Sequence, residues 1–198
     1  MSRRAVVMAV AAAVIIVLAA WALTRGLERL MTAPEREAER TESAPVEPGA
    51  PVRHITATLF YGSDDGQWLV PAQREVPFGD TPVAQGRHIV QGQLEQPATT
   101  PLVGLVPPGS TLRNFYVTEQ GDAFVDLGPE IVAEHPGGSA AELLTVYAIV
   151  NAVTANLPAI TRVQILVDGK EVDSLAGHVD LRRPLQRNDA LVRHTGTQ

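Results

Sequence analysis

Ser139 and Glu142 have the residue types and spacing of a reactive pair, a hydroxyl followed three residues later by a carboxylate. On a helix that spacing sets both on one face, so a nucleophile beside its base is one chemistry to weigh. The same spacing is that of a capping box. There the serine hydroxyl accepts from an orphan N–H of the first turn, and the glutamate reaches back to the cap's own N–H. An apolar run at helical period follows directly, so the cap is the expected role. Asp168 precedes Gly169 and is read as a turn residue. Asp64-Asp65-Gly66 has the composition of a weak calcium loop but lacks the spaced acidic positions and terminal glutamate, so it too is expected to be a turn. His54, His88, His135, His178 and His194 are scattered and form no short-range metal spacing. Gly137 and Gly138 stand where backbone N–H groups could meet an anion, with Glu142 competing for the same helix end. Asp122, Asp126 and Glu130 are read as a loose acidic group on a solvated face. The expected catalytic, cofactor-binding and metal-ligating residues are therefore none, no cofactor is expected, and the sequence predicts a protein that is not an enzyme.

The elements that must position these residues can be read along the chain. His54–Tyr61 (HITATLFY) predicts a strand, Gly62–Gly66 a turn, and Gln67–Val76 a second strand, whose Pro71 points to an edge or bulge. Asp80 or Thr81 caps a helix that begins at Pro82 and runs to about Leu94, with Val83, Val90 and Leu94 inward; Gly86 and Gly92 weaken it. A hairpin is predicted from Leu112–Thr118 and Ala123–Leu127. In the long helix after Ser139, Leu143, Val146, Tyr147, Val150, Val153 and Leu157 share one face, leaving Thr145, Ala148, Ala152 and Asn156 on the other. Asn156 and Pro158 close it. Arg162–Val167 is a strand, Asp168-Gly169 a two-residue hairpin signal, and Lys170–Leu175 its return. The expected fold class is α+β, a mixed β-sheet of about five to six strands with two helices on one face, in the order ββαββαββ.

The chain has 198 residues and no cysteine, which excludes a disulfide framework, a cysteine nucleophile and a lipid-anchored bacterial N-terminus. Positions 5–24 carry no charge. Twenty helical residues rise about 30 Å, enough to cross the hydrocarbon core. Residues 1–24 are expected to be an N-terminal transmembrane anchor. A cleavable signal peptide ending at Ala22 is the competing reading, since Ala20-Trp21-Ala22 has the small-x-small form. Residues 25–53 read as a charged then Pro-rich stalk, residues 54–185 as the globular domain, and residues 186–198 as a loosely ordered tail. Residues 1–53 hold seven basic and six acidic side chains, net +1; residues 54–198 hold nine and sixteen, net −7. An acidic domain is poorly suited to nucleic acid, because phosphate contacts need a basic surface.

Gly137 to Gly169 (GGSAAELLTVYAIVNAVTANLPAITRVQILVDG) resembles the GerMN domain of bacterial sporulation and spore-germination proteins. Val106–Leu112 (VPPGSTL), Gly121–Leu127 (GDAFVDL) and Gly177-His178-Val179-Asp180 with Pro184 agree in order, and Arg74 after Trp68-Leu69-Val70 is a looser match. The resemblance spans residues 55–185. It implies a compact α+β domain similar to the ring-building modules of secretion and sporulation machines. It also implies an extracytoplasmic, membrane-tethered protein without catalytic activity, of the kind that helps envelope complexes assemble. The chain departs from the family in having one copy rather than a tandem pair, and a transmembrane anchor rather than a lipidated cysteine. The function expected is a non-catalytic interaction or assembly module on the outer side of the bacterial plasma membrane. Its expected partners are the membrane, through one N-terminal span, and another protein or itself, with no nucleic acid. A small-ligand or cell-wall-fragment binding domain is the alternative, and that would need a concave apolar pocket.

Overall fold

The computed structural model describes residues 53–193. The expected anchor over residues 1–24, the stalk up to residue 52 and the last five residues of the tail, His194 included, lie outside the described residues. Among the described residues no helix is long and apolar enough to cross a membrane.

Strands β1 (His54–Gly62) and β2 (Leu69–Pro77) form an antiparallel hairpin that stands as a two-stranded sheet of its own. Helix α1 (Pro82–Leu94) begins as expected: the Thr81 hydroxyl accepts the Ala84 N–H at 3.1 Å, and Pro82 takes the first position, where a missing N–H costs least. Strands β3 (Leu112–Val117) and β4 (Asp122–Leu127) are antiparallel, with a register shift between Leu112 and Asn114. A single turn, α2 (Glu130–Ala133), precedes the long helix α3 (Ser139–Asn156). Strand β5 (Arg162–Val167) runs parallel to β4, an arrangement that needs a long crossover, which α3 provides. Asp168 and Gly169 have φ of 53° and 75°, the left-handed pair a two-residue hairpin demands. The return strand β6 covers only Lys170–Glu171, shorter than the Lys170–Leu175 expected, and β7 (Leu185–Gln186) pairs with the start of β5.

The sequence led to one mixed sheet with two helices on one face. Instead there are two sheets, with α1 and α3 between them. Val90, Val146, Ile149, Val150 and Val153 pack on the larger sheet with Phe115, Val125 and Ile165. Ile89, Leu144, Ala148 and Ala152 pack on the hairpin with Leu59, Phe60 and Leu69. The side of α3 opposite the expected apolar face is therefore buried too; Thr145, Ala148 and Ala152 are each no more than 1% exposed. Small side chains there let β1 come close. Val83, expected inward, is exposed, and the buried side of α1 includes Gln85, Gly86, Gly92 and Gln93.

The hairpin stays separate because the outer edge of β1 is closed by side chains rather than by a third strand. The backbones of Thr58, Phe60 and Gly62 face away from β2. The Asn156 amide accepts from the Thr58 N–H at 2.9 Å and donates to its C=O at 2.8 Å. Gln93 does the same for Phe60 at 2.9 and 2.7 Å. Gly62 exchanges both bonds with Val103 at 2.7 and 2.9 Å. Each buried backbone group is thus paired without a sheet neighbour.

Residues 186–193, expected to be part of a loosely ordered tail, are packed instead. The Asn151 side chain accepts the Asn188 N–H and donates to its C=O, both at 3.0 Å. Val192 is 7% exposed, and the Arg193 N–H donates to Leu69 O at 2.8 Å.

Candidate functional site

Ser139 and Glu142 do not form a capping box. The N-cap is Gly138, with φ of 86°, and no side chain caps the helix. Gly138 takes a conformation that serine tolerates poorly, so Ser139 moves inside the helix and its hydroxyl is left exposed. Glu142 turns the other way and is 0% exposed. Its Oε1 accepts the Leu175 N–H at 2.8 Å, and its Oε2 accepts the His178 N–H at 2.8 Å with His178 Nδ1 at 3.1 Å. Burial alone would raise its pKa, but the N–H groups of Ala176, His178, Leu175 and Val179 outweigh that and hold the carboxyl below the usual glutamate range. The carboxylate holds the loop Leu175–Val179 on the end of α3. Both of its oxygens accept from that loop, which favours the charged form over proton uptake.

His135 lies nearby and is tied by a complementary set of bonds. Its Nδ1 accepts the Gly137 N–H at 3.0 Å, which places the proton of the neutral ring on Nε2, 3.2 Å from the Thr145 hydroxyl. Thr145 donates onward to Leu105 O at 2.7 Å or Ala141 O at 2.9 Å. Burial holds this imidazole below the usual histidine range, against the opposing pull of Glu142.

The remaining candidates are dispersed, each to its own partner. Asp168 sits in the β5–β6 turn and pairs with Arg113. Asp64 and Asp65 cap the β1–β2 turn: Asp65 accepts from the Ser63 hydroxyl at 2.5 Å and pairs with Arg193. Asp126, expected on a solvated face, is buried and accepts the Gly169 N–H at 2.7 Å. Asp122 pairs with Arg162 at 2.7 Å, while Glu130 lies near the Thr111 hydroxyl. Those three carboxylates are therefore not one group. His54 begins β1, and His88 Nδ1 lies 2.9 Å from Pro77 O. Among the described residues no set of three or more His, Cys, Asp or Glu is gathered closely enough to hold a metal.

A groove of about 660 Å³ opens between the C-terminal end of α1, at Gln91, Leu94 and Glu95, and the segment Pro108–Leu112. Sequence reading gave no sign of it, because its walls come from segments with no shared motif. The Ser110 hydroxyl in its wall is buried without a hydrogen-bond partner among the described residues.

Three comparisons bear on this architecture. A candidate lipoprotein from Clostridium perfringens is similar in structure with 25% identity and a TM-score of 0.50, over 71% of this chain and 94% of that one. The tandem GerMN domains of the sporulation protein GerM from Bacillus subtilis match with a TM-score of 0.53 and 14% identity, over 68% of this chain and 46% of that one. The first of those domains alone gives the same score and identity, over 67% and 98%. At that identity the two GerM matches establish the shared fold. Among curated proteins none matches the sequence. Residues 58–173 match the family described as Germane, sporulation and spore germination. That match takes in both halves of the fold, from β1 to the return strand β6, and the chain belongs to the Germane family.

Proposed function

We infer that this protein is a non-catalytic, membrane-anchored assembly module on the extracytoplasmic side of a bacterial envelope. One observation carries the reading: apart from the Ser110 hydroxyl, the buried polar side chains bond to this chain's own backbone. Glu142, Gln93, Asn151, Thr145, Asp126 and Gln164 each bond to main-chain groups. Side chains saturated in this way build a scaffold, and a scaffold's output is its surface. The apolar run at positions 5–24 supports an anchor, and the likeness to a candidate lipoprotein supports a membrane-associated setting. Crosslinking in membranes of the host, followed by mass spectrometry of the full chain's adducts, tests the reading. A defined protein adduct is expected. Free monomer alone, in membranes where the chain is abundant, would overturn it.

The groove beside Ser110 favours a second reading, a small-ligand or cell-wall-fragment binding domain. Its size falls in the range of ligand sites, and an unpaired hydroxyl costs about 1–3 kcal/mol that a ligand could relieve. Calorimetry with muropeptide fragments tests it. Binding that is lost in Ser110→Ala would favour this reading over assembly.

A further inference from the structure

The bonds of His135 form one directed chain across three segments. The Gly137 N–H donates to Nδ1 at 3.0 Å, Nε2 donates to the Thr145 hydroxyl at 3.2 Å, and that hydroxyl reaches Leu105 O at 2.7 Å. The links agree in direction only while the imidazole is neutral, because a protonated ring carries an N–H on both nitrogens. Protonation strikes the two ends unequally. Nε2 keeps its proton and its bond to Thr145, whereas Nδ1 turns from acceptor into donor and meets the Gly137 N–H head-on.

The segment at that end is free to let go. Among the described residues the Gly137 N–H has no main-chain partner, and Pro136 before it has no N–H to bond. Gly137 and Gly138 have φ of 80° and 86°, and no described atom lies within 4 Å of where a Cβ would stand at either. Two adjacent glycines in open space reorient at little steric cost. The Gly138 C=O accepts the Glu142 N–H at 3.0 Å, so α3 itself marks where the motion ends. The loop Leu175–Val179, on the same end of α3, is held separately by the Glu142 carboxylate, whose pKa lies below the usual glutamate range.

The charged groups around the ring are few. Burial works against the proton and outweighs the pull of Glu142 from α3, while His178 of the loop Leu175–Val179 bonds that same carboxylate. Glu134, next to His135 in the chain, is exposed, and the segment Leu102–Val106 around Leu105 has no titratable side chain. The folded pKa of His135 therefore lies below 6.5, so its bond to Gly137 is complete above that pH and is lost as pH falls through the lower folded value. We propose that His135 and the Gly137-Gly138 pair form an acid-released hinge at the entry to α3: the neutral imidazole pins the segment, and protonation frees Gly137 while the rest of the domain stays folded. The hinge goes beyond the assembly reading and does not depend on it. On the extracytoplasmic side inferred above, it would meet the acidity of the surroundings directly.

Nitrogen-15 NMR of the labelled full chain in detergent, titrated from about pH 7.5 to about pH 4.5, tests the hinge. At the upper end His135 should show the tautomer with its proton on Nε2. As the ring charges, the Gly137 amide should shift with the same midpoint, below pH 6.5. Its exchange, corrected for the intrinsic rate, should quicken at least about tenfold. The amides of Leu175 and His178 should not follow, since Glu142 holds them. His135→Gln offers an amide that does not titrate, so in that variant the Gly137 amide should ignore pH over the same range. Should it not fold, Thr145→Val removes the acceptor of the Nε2 proton and should loosen the Gly137 amide already at about pH 7.5; an unchanged amide there would count against the hinge. A proton on Nδ1 at the upper end, or a ring that stays neutral throughout, would overturn the proposal. So would a ring that charges while Gly137 keeps its shift and exchange. Joint loss of Gly137, Leu175 and His178 would overturn it too, because acid would then be unfolding the whole end of α3.

Discussion

Glu142 is where the chemistry of single residues matters most. A carboxylate at the third helical position after a serine has a standard role at the helix end, yet here it faces inward and holds a loop more than thirty residues downstream. Glu142→Gln replaces a charged acceptor with an amide that can turn only one oxygen toward several N–H donors. It should cost about 1.5–3 kcal/mol, the scale of hydrogen bonds to a charged group. Ser139→Ala should leave the melt unchanged, because the hydroxyl is exposed and caps nothing. Thermal melts of the full chain in detergent check both, and equal effects would sink this account of Glu142. The same residues set a pH dependence. Both His135 and Glu142 have folded pKa values below their usual 6.5 and 4.5, so the unfolded chain binds more protons and stability falls with acid. His135's share is present above about pH 6.5 and is lost below it as the imidazole must charge; Glu142's is lost as pH falls from about 4.5 through its depressed pKa. The melting temperature should therefore begin to fall below pH 6.5 and fall again below pH 4.5. His135→Gln should remove the first decline and keep the second.

At the scale of elements, the glycines of α1 show how packing reverses a local preference. Glycine costs a helix about 1 kcal/mol relative to alanine, so Gly86→Ala is expected to stabilise on propensity alone. A Cβ at that position would stand 2.2 Å from Cε1 of Phe115. The ring is 2% exposed and inside the core, so it has no room to retreat. Gly86→Ala should therefore destabilise by about 1–3 kcal/mol, the usual cost of overpacking. Denaturant melts give the sign directly, and a gain in stability would mean that Phe115 can move. Gln93 and Asn156 follow the same logic of position over type. Each is a polar residue on a helix, yet each serves as a partner to a strand, and this is what lets a two-stranded hairpin form one wall of the domain.

For the molecule as a whole, the C-terminal segment works as a strap. Asn188 joins α3, Val192 enters the core beside the hairpin, and Arg193 bonds to β2 and pairs with Asp65 in the β1–β2 turn. The strap thus links the central helix to the outer sheet. Removing residues 187–198 should destabilise by at least the burial of Val192, about 1.5–3 kcal/mol, and should speed exchange in β2 more than in β4 or β5. Exchange measured by mass spectrometry distinguishes this from a uniform loss; unchanged protection of β2 would mean that the strap is passive.

Much of this architecture was legible from local pattern. The start of α1 at Thr81-Pro82, the full extent of β5 and the Asp168-Gly169 turn follow from capping, period-two alternation and left-handed turn chemistry, all decided within a few residues. The family likeness was legible for a related reason, since its motifs lie on these locally determined elements. Other features depended on distance. Glu142 finds its donors at Leu175 and His178, Gln93 finds the edge of Phe60, and Asn151 finds Asn188; no short window of sequence contains the partners in any of these three cases. A helix wrapped on both sides shows little amphipathic signal, so α3 was read as having one buried face when it has two. The sequence by itself determined the two long helices and the strands β1 to β5, because those follow from backbone sterics and local hydrogen bonding. Only the tertiary structure decided which buried polar groups meet, because each such group must be paired wherever the folded chain brings a partner within reach.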